Sequence, residues 1–200
     1  MTETDTIDAA PGATDLGDNL ALLLSHVLSP AGVATAVFAW LAMSGGSWAA
    51  GLAGVALYAV LPGLSLLYLK RSGVLADVYN PEPQLRQRIL VVGAACYGAG
   101  YVVLKLSGAP KLMLWAGALY GCGALVVWLI DRYWKISIHS VGVGGGVLIL
   151  AVAGDLWLLS PALLMVAWAR LRLKAHTPAQ VVGGLALGCA LAASLRTLYL

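Results

Sequence analysis

Two short segments hold the residue types best suited to chemistry. One is Trp134-Lys135-Ile136-Ser137-Ile138-His139-Ser140, and the other runs from Ala169-Arg170 through His176-Thr177-Pro178-Ala179 to Gln180. A neutral imidazole can attack an electrophilic centre, and a second can deliver a proton, because histidine titrates near neutral pH. Guanidinium and ammonium groups suit the oxygens of a phosphate. Arg170 and Lys135 are such groups, and Arg86 and Arg88 add two more from the 70–88 segment. Ser137 offers a hydroxyl donor, and Gln180 offers an amide oxygen that can accept from an imidazole. The run Thr177-Pro178-Ala179-Gln180 is also a capping box, with Thr at N-cap, Pro at N1 and Gln at N3. Both readings of Gln180 stay open at this point.

The elements that must position these groups lie in hydrocarbon. The chain has 200 residues, 60% hydrophobic and 10% charged, with a mean hydropathy of +0.87. A soluble domain carries about 25% charged residues, so soluble enzymes, nucleic-acid binders and disordered chains are excluded. A net charge of +3 is also too small to argue for nucleic acid. Apolar runs at 20–43, 47–69, 89–106, 111–130, 140–159, 161–173 and 179–193 predict an all-α, polytopic transmembrane helical bundle of six to seven spans. Residues 1–19, with five acids and no base, read as a solvated acidic tail, and 20–200 as a single transmembrane domain. Gly45-Gly46, Gly108 to Pro110 and Ser160-Pro161 read as tight turns. Pro30 and Pro62 should kink or locally unwind their spans. Gly117 and Gly121, Gly184 and Gly188, and the Gly144-Gly145-Gly146 run suit close helix contact.

The scarce bases are unevenly distributed. With seven crossings, one face receives the N-terminus and the loops 70–88, 131–138 and 170–178, which hold nine bases. Lys105, Lys111 and Arg196 alone fall on the other face. The positive-inside rule places the loop-rich face in the cytoplasm. Span length adds a second point. From Pro161 to Arg170 is about 14 Å of helix at 1.5 Å per residue, against a hydrocarbon core of about 30 Å. Arg170 should therefore be recessed and face the bundle interior, where a charge is costly and usually functional.

The pattern resembles the type 2 phosphatidic acid phosphatase superfamily, whose three motifs are K-x6-R-P, P-S-G-H and S-R-x5-H-x3-D. Arg170, His176 and Gln180 reproduce the spacing of the third, with Gln for Asp and Ala169 for Ser. The HTPAQV run is similar to the dolichyl-diphosphatase-like branch. Ser137-Ile138-His139 keeps the Ser and His of the second motif without its Pro and Gly. Arg86 or Arg88 supplies the arginine of the first; Tyr79 and Pro81 stand where its lysine would be, and Lys135 could replace that charge. The resemblance covers roughly residues 70–195. It implies a metal-independent, cofactor-free phosphohydrolase acting on a lipid phosphate or diphosphate, of isoprenoid type if the dolichyl-diphosphatase-like likeness holds. His176 would form a phosphohistidine, oriented by Gln180, and His139 would protonate the leaving oxygen. Arg170, Ser137, Lys135 and an arginine of the first loop, Arg86 or Arg88, would hold the phosphate.

Other residues have plainer readings. His26 suits a structural hydrogen bond, and Asp155 a solvated or capping position. Asp77 and Glu82 could pair with Arg86 and Arg88. Arg172 and Lys174 read as headgroup anchors, the seven tryptophans as interface residues, and Cys96, Cys122 and Cys189 as small buried hydrophobes. A prenyltransferase or cyclase would need Mg²⁺ on aspartate clusters, and the basic face has no D-x-x-x-D pair. A transporter would call for paired intramembrane carboxylates and a repeat, neither of which is present. A non-catalytic lipid-phosphate-binding or scaffold member of the same fold is the alternative function.

Overall fold

The computed structural model describes residues 15–45, 47–75 and 82–200, and all regular elements among them are helical. In chain order they are α1 (Leu16–Val27), α2 (Pro30–Met43), α3 (Trp48–Val55), a π turn (Ala56–Val60) and α4 (Leu61–Arg71). Then follow α5 (Pro83–Leu106), α6 (Lys111–Asp131), α7 (Ile138–Gly154), a 3-10 turn (Trp157–Leu159), α8 (Pro161–Arg172) and α9 (Pro178–Tyr199). Each of the seven apolar runs is helical. Four helices have the length and apolarity of a membrane crossing: 48–71, 83–106, 111–131 and 178–199. The pair α1 and α2, bent by 50°, makes a fifth. Helix α7, with 17 residues, rises about 25 Å, and α8, with 12, about 18 Å, both short of a ~30 Å hydrocarbon core. Four to five membrane-length segments therefore replace the expected six to seven.

Local sequence explains the two breaks. The first is sharper than a proline kink. Ser29 caps a new helix through a 3.1 Å hydrogen bond from Gly32 N, and Pro30 stands at N1. Serine at N-cap with proline at N1 is a start signal, so α1 ends and α2 restarts. Pro62 has a milder effect: the turn before it widens into the π segment, and 48–71 stays one rod.

The acidic tail is also shorter than expected, because Asp15 caps α1 and the helix starts at Leu16. Arg172 binds both Asp15 and Asp18, the latter at 2.8 Å. That contact brings the N-terminal helix to the C-terminal end of α8. Residues 1–14, and with them the rest of the tail, lie outside the described residues, as do Gly46 and Asp77.

The three basic loops converge through hydrogen bonds. From the start of α5, Arg86 reaches Asp131 at the end of α6 and the Ile136 carbonyl beyond it. Ser137 N donates to the Gln180 carbonyl at 3.3 Å, joining the starts of α7 and α9. Glycines bring α7 and α9 close. A Cβ on Gly144 would lie 2.6 Å from the Leu185 carbonyl, one on Gly184 2.7 Å from the Ser137 carbonyl, and one on Gly188 inside the Val141 carbonyl. Only glycine permits that approach. In the middle of the bundle, Tyr58 stacks on Phe38 and Tyr97, with ring centroids 5.0 and 5.4 Å apart.

Two readings of apolar residues need correction. Trp48, Trp134 and Trp157 are exposed near helix ends, but Trp115 is fully buried and donates to the Ala192 carbonyl at 3.0 Å. Its indole N–H has an acceptor inside the bundle, so it has no need of the interface. None of the cysteines is fully buried, and Cys122 is exposed on the outer surface of α6. In a membrane, an outward-facing small hydrophobe meets lipid at no cost, so apolar flanks do not imply burial.

Candidate functional site

The site forms where the turn after α8, the start of α7 and the start of α5 meet. Arg170 is buried to 1% exposure and faces the interior as expected, while Arg172, two residues on and turned by about 200°, is exposed. Its Nη1 donates to Ser25 Oγ at 3.4 Å. Burial of a guanidinium is tolerable only with polar partners around it, and in a lipid-facing protein such a residue usually serves function.

His176 follows in the turn between α8 and α9 and is buried. Its Nδ1 lies 3.3 Å from Gln180 Oε1. The same oxygen accepts from Thr177 N at 3.1 Å, while Thr177 Oγ1 accepts from Gln180 N at 3.4 Å. The capping box and the imidazole contact thus coexist on one carbonyl oxygen, which has two lone pairs. An N–H at Nδ1 facing that oxygen leaves Nε2 as the ring's lone-pair nitrogen. Burial, followed by the charge of Arg170, lowers the His176 pKa to about 4. The Gln180 hydrogen bond opposes the shift, and Arg86 and Lys135 add to it. Three cations therefore act on one neutral imidazole.

Ser137 is the N-cap of α7 and is fully buried. Its Oγ accepts from Ser140 N at 3.3 Å and from Ser140 Oγ at 2.8 Å, which leaves its own O–H able to donate. The cap fixes the first turn of α7 and with it His139. That imidazole hydrogen-bonds the Ser25 backbone and lies within electrostatic reach of Arg170, His176 and His26. His139 and His176 are thus brought together with Arg170 between two helix ends.

The first-loop arginines separate. Arg86 is buried, with Nε 2.9 Å from both Asp131 carboxylate oxygens and Nη2 2.8 Å from the Ile136 carbonyl. It reaches the His176 environment already fixed in position. Its partner is Asp131 rather than Glu82, because the end of α6 lies against the start of α5, and Asp77 lies outside the described residues. Arg88, expected at the phosphate, is instead exposed and lines an outer groove with Trp128 and Arg132. Two residues along a helix turn a side chain by about 200°, so Arg86 and Arg88 cannot share a face.

Sequence reasoning missed Asp131 and the Ser25–His26 turn of α1. The signal for the second was present: Ser29-Pro30 within an apolar run ends one helix beside the site. Asp155 stands in a left-handed conformation at the C-cap of α7, a capping position as expected. Among the described residues, no three His, Cys, Asp or Glu side chains form a metal-holding group.

Compared with known proteins, the chain matches no family model, no curated protein and no solved structure. The fold itself defines an all-helical protein with the dimensions of an integral membrane protein. A cluster of buried histidine and arginine lies at one end of its bundle.

Proposed function

We propose that this chain is a metal-independent membrane phosphatase that hydrolyses a lipid phosphate or diphosphate, of isoprenoid type by the form of its HTPAQ run, through a phosphohistidine on His176. The observation that carries the reading is the His176–Gln180 contact of 3.3 Å, set within the field of Arg170, Arg86 and Lys135. In this scheme Nε2 of His176 attacks phosphorus, the bond to the leaving oxygen breaks, and His139 gives that oxygen a proton. Water then attacks the phosphohistidine and passes a proton back to His139, and inorganic phosphate leaves. Arg170, Lys135 and Arg86 balance the charge on the phosphoryl oxygens, with the Ser137 hydroxyl as a further donor. Such preorganised positive donors are the main requirement of phosphoryl transfer. The lipid tail stays among the helices while the headgroup enters from the basic face, which we assign to the cytoplasm by its excess of Lys and Arg.

The test is phosphate release from farnesyl diphosphate, undecaprenyl diphosphate and phosphatidic acid by the detergent-purified protein in excess chelator. Release from at least one, abolished in His176→Ala, supports the reading. Absence of release from a folded protein overturns it. A second reading, a lipid-phosphate-binding protein without turnover, is favoured by the commitment of Arg86 to Asp131. Under it, a radiolabelled lipid phosphate binds and stays intact.

A further inference from the structure

On the outer side of the α5–α6 pair, an open groove of about 680 Å³ is lined by Gln87, Arg88, Val91, Val92, Trp128 and Arg132. The start of α5 and the end of α6 form its walls, so one chemistry follows another along its length. Arg88 and Arg132 stand at the helix ends, one turn away from Val91, Val92 and Trp128 on the spans themselves. The two valines are 45% and 56% exposed, so the apolar stretch faces outward. The Arg132 guanidinium lies 3.9 Å over the Trp128 ring, held against the wall.

The charge balance of the groove is positive. Asp131, next to Arg132 in the chain, is directed inward: Arg86 and Gln87 Nε2 bind its oxygens, the latter at 3.0 Å. These contacts pair it with Arg86 and tie down the Gln87 wall. Among the described residues no ion pair reaches Arg88 or Arg132. Glu82 lies before the first turn of α5, at its N-cap.

We propose that this groove holds one anionic phospholipid, its phosphate between Arg88 and Arg132 and an acyl chain along Val91, Val92 and Trp128. Two exposed arginines at the end of membrane-length helices match a headgroup anion, and the apolar stretch below them matches a chain. A soluble anion would gain nothing from the valines, and a zwitterionic lipid would oppose the arginines with its own cation. The site is separate from the histidine cluster, since Arg88 and Arg86 point to different sides of α5. It stands whether or not the protein is a phosphatase.

The experiment is native mass spectrometry of the full chain released from micelles containing equal amounts of phosphatidylglycerol and phosphatidylcholine. The wild type is expected to retain one phosphatidylglycerol in preference to phosphatidylcholine by about 30-fold, the effect of two surface cations on an anionic headgroup. Arg88→Gln with Arg132→Gln should abolish the preference, and Arg88→Lys with Arg132→Lys should keep most of it. Equal retention of both lipids by the wild type overturns the proposal. So does an unchanged preference in the glutamine variant, or displacement of the lipid by an equal concentration of glycerol phosphate.

Discussion

Gln180 Oε1 lies 3.3 Å from His176 Nδ1 and 3.1 Å from Thr177 N, so one oxygen both caps α9 and orients the imidazole. Helix start and candidate nucleophile are thus one structural unit. Removing the oxygen should damage both. Gln180→Ala is expected to cost about 1 kcal/mol of stability through the lost cap. Activity should fall on the order of 100-fold, because the ring is no longer held in line. Thermal unfolding in detergent and steady-state kinetics measure the two effects separately. Gln180→Glu keeps the oxygen and adds a negative charge, so it should restore most of the activity and move the acid limb of the kcat/KM profile upward in pH.

His176 contributes a defined part of the pH dependence of stability. Its folded pKa is about 4, below the ordinary 6.5 of an unfolded histidine. Between those values the unfolded chain binds a proton that the folded chain does not, so stability rises with pH across this window. Acidification from about 6.5 to about 4 should therefore lower the unfolding temperature, with the contribution of this group levelling off below 4. His176→Asn should flatten the slope in that window. An unchanged slope would mean that His176 is not held neutral by burial and Arg170.

The buried Arg86–Asp131 pair, 2.7 Å apart, makes a different prediction. Breaking it by Asp131→Ala leaves an uncompensated buried guanidinium, at a cost of about 3–5 kcal/mol. Replacing both partners, Arg86→Met with Asp131→Leu, should recover most of that loss. The double variant should still be inactive, because the cation beside His176 is gone. Recovery of stability together with activity would remove Arg86 from the site.

Glycine sets how closely α7, which carries His139, approaches α9, which begins two residues after His176. Gly188→Ala places a methyl group against the Val141 carbonyl and must push the helices apart, at a cost of about 1–3 kcal/mol. His139 and His176 then separate as well. The expected result is a lower unfolding temperature and a disproportionate fall in activity. Gly63→Ala, where a Cβ meets open space, serves as the control.

Much of this arrangement was legible in the residues, for identifiable reasons. The inward position of Arg170 was expected from its short span, but Arg172 in the same turn is exposed, so the face of α8 and not its length decides which arginine is buried. The 131–138 and 170–178 loops were expected on one face from a count of seven crossings; Ser137 and Gln180 do meet, but four to five membrane-length segments stand where seven were counted. Gln180 could be read as a cap because capping is local chemistry that depends on three residues. The Asp131–Arg86 pair was not legible, because it joins the ends of two different helices. Arg86 and Arg88 could not be told apart until the rotation of α5 was known, since neither hydrophobic periodicity nor charge distinguishes them. The restart at Ser29-Pro30 was present in the sequence, but inside an apolar run a proline is easily taken for a kink.

The central claim is that His176 becomes covalently phosphorylated. Incubation with ³²P-labelled farnesyl diphosphate, a rapid alkaline quench and peptide mapping test it directly, because phosphohistidine survives base and is lost in acid. The account predicts base-stable, acid-labile label on the peptide carrying His176. It should be absent in His176→Ala and should accumulate under conditions that slow water attack. Phosphate release with no labelled enzyme at any quench time, or label that persists in His176→Ala, would contradict it.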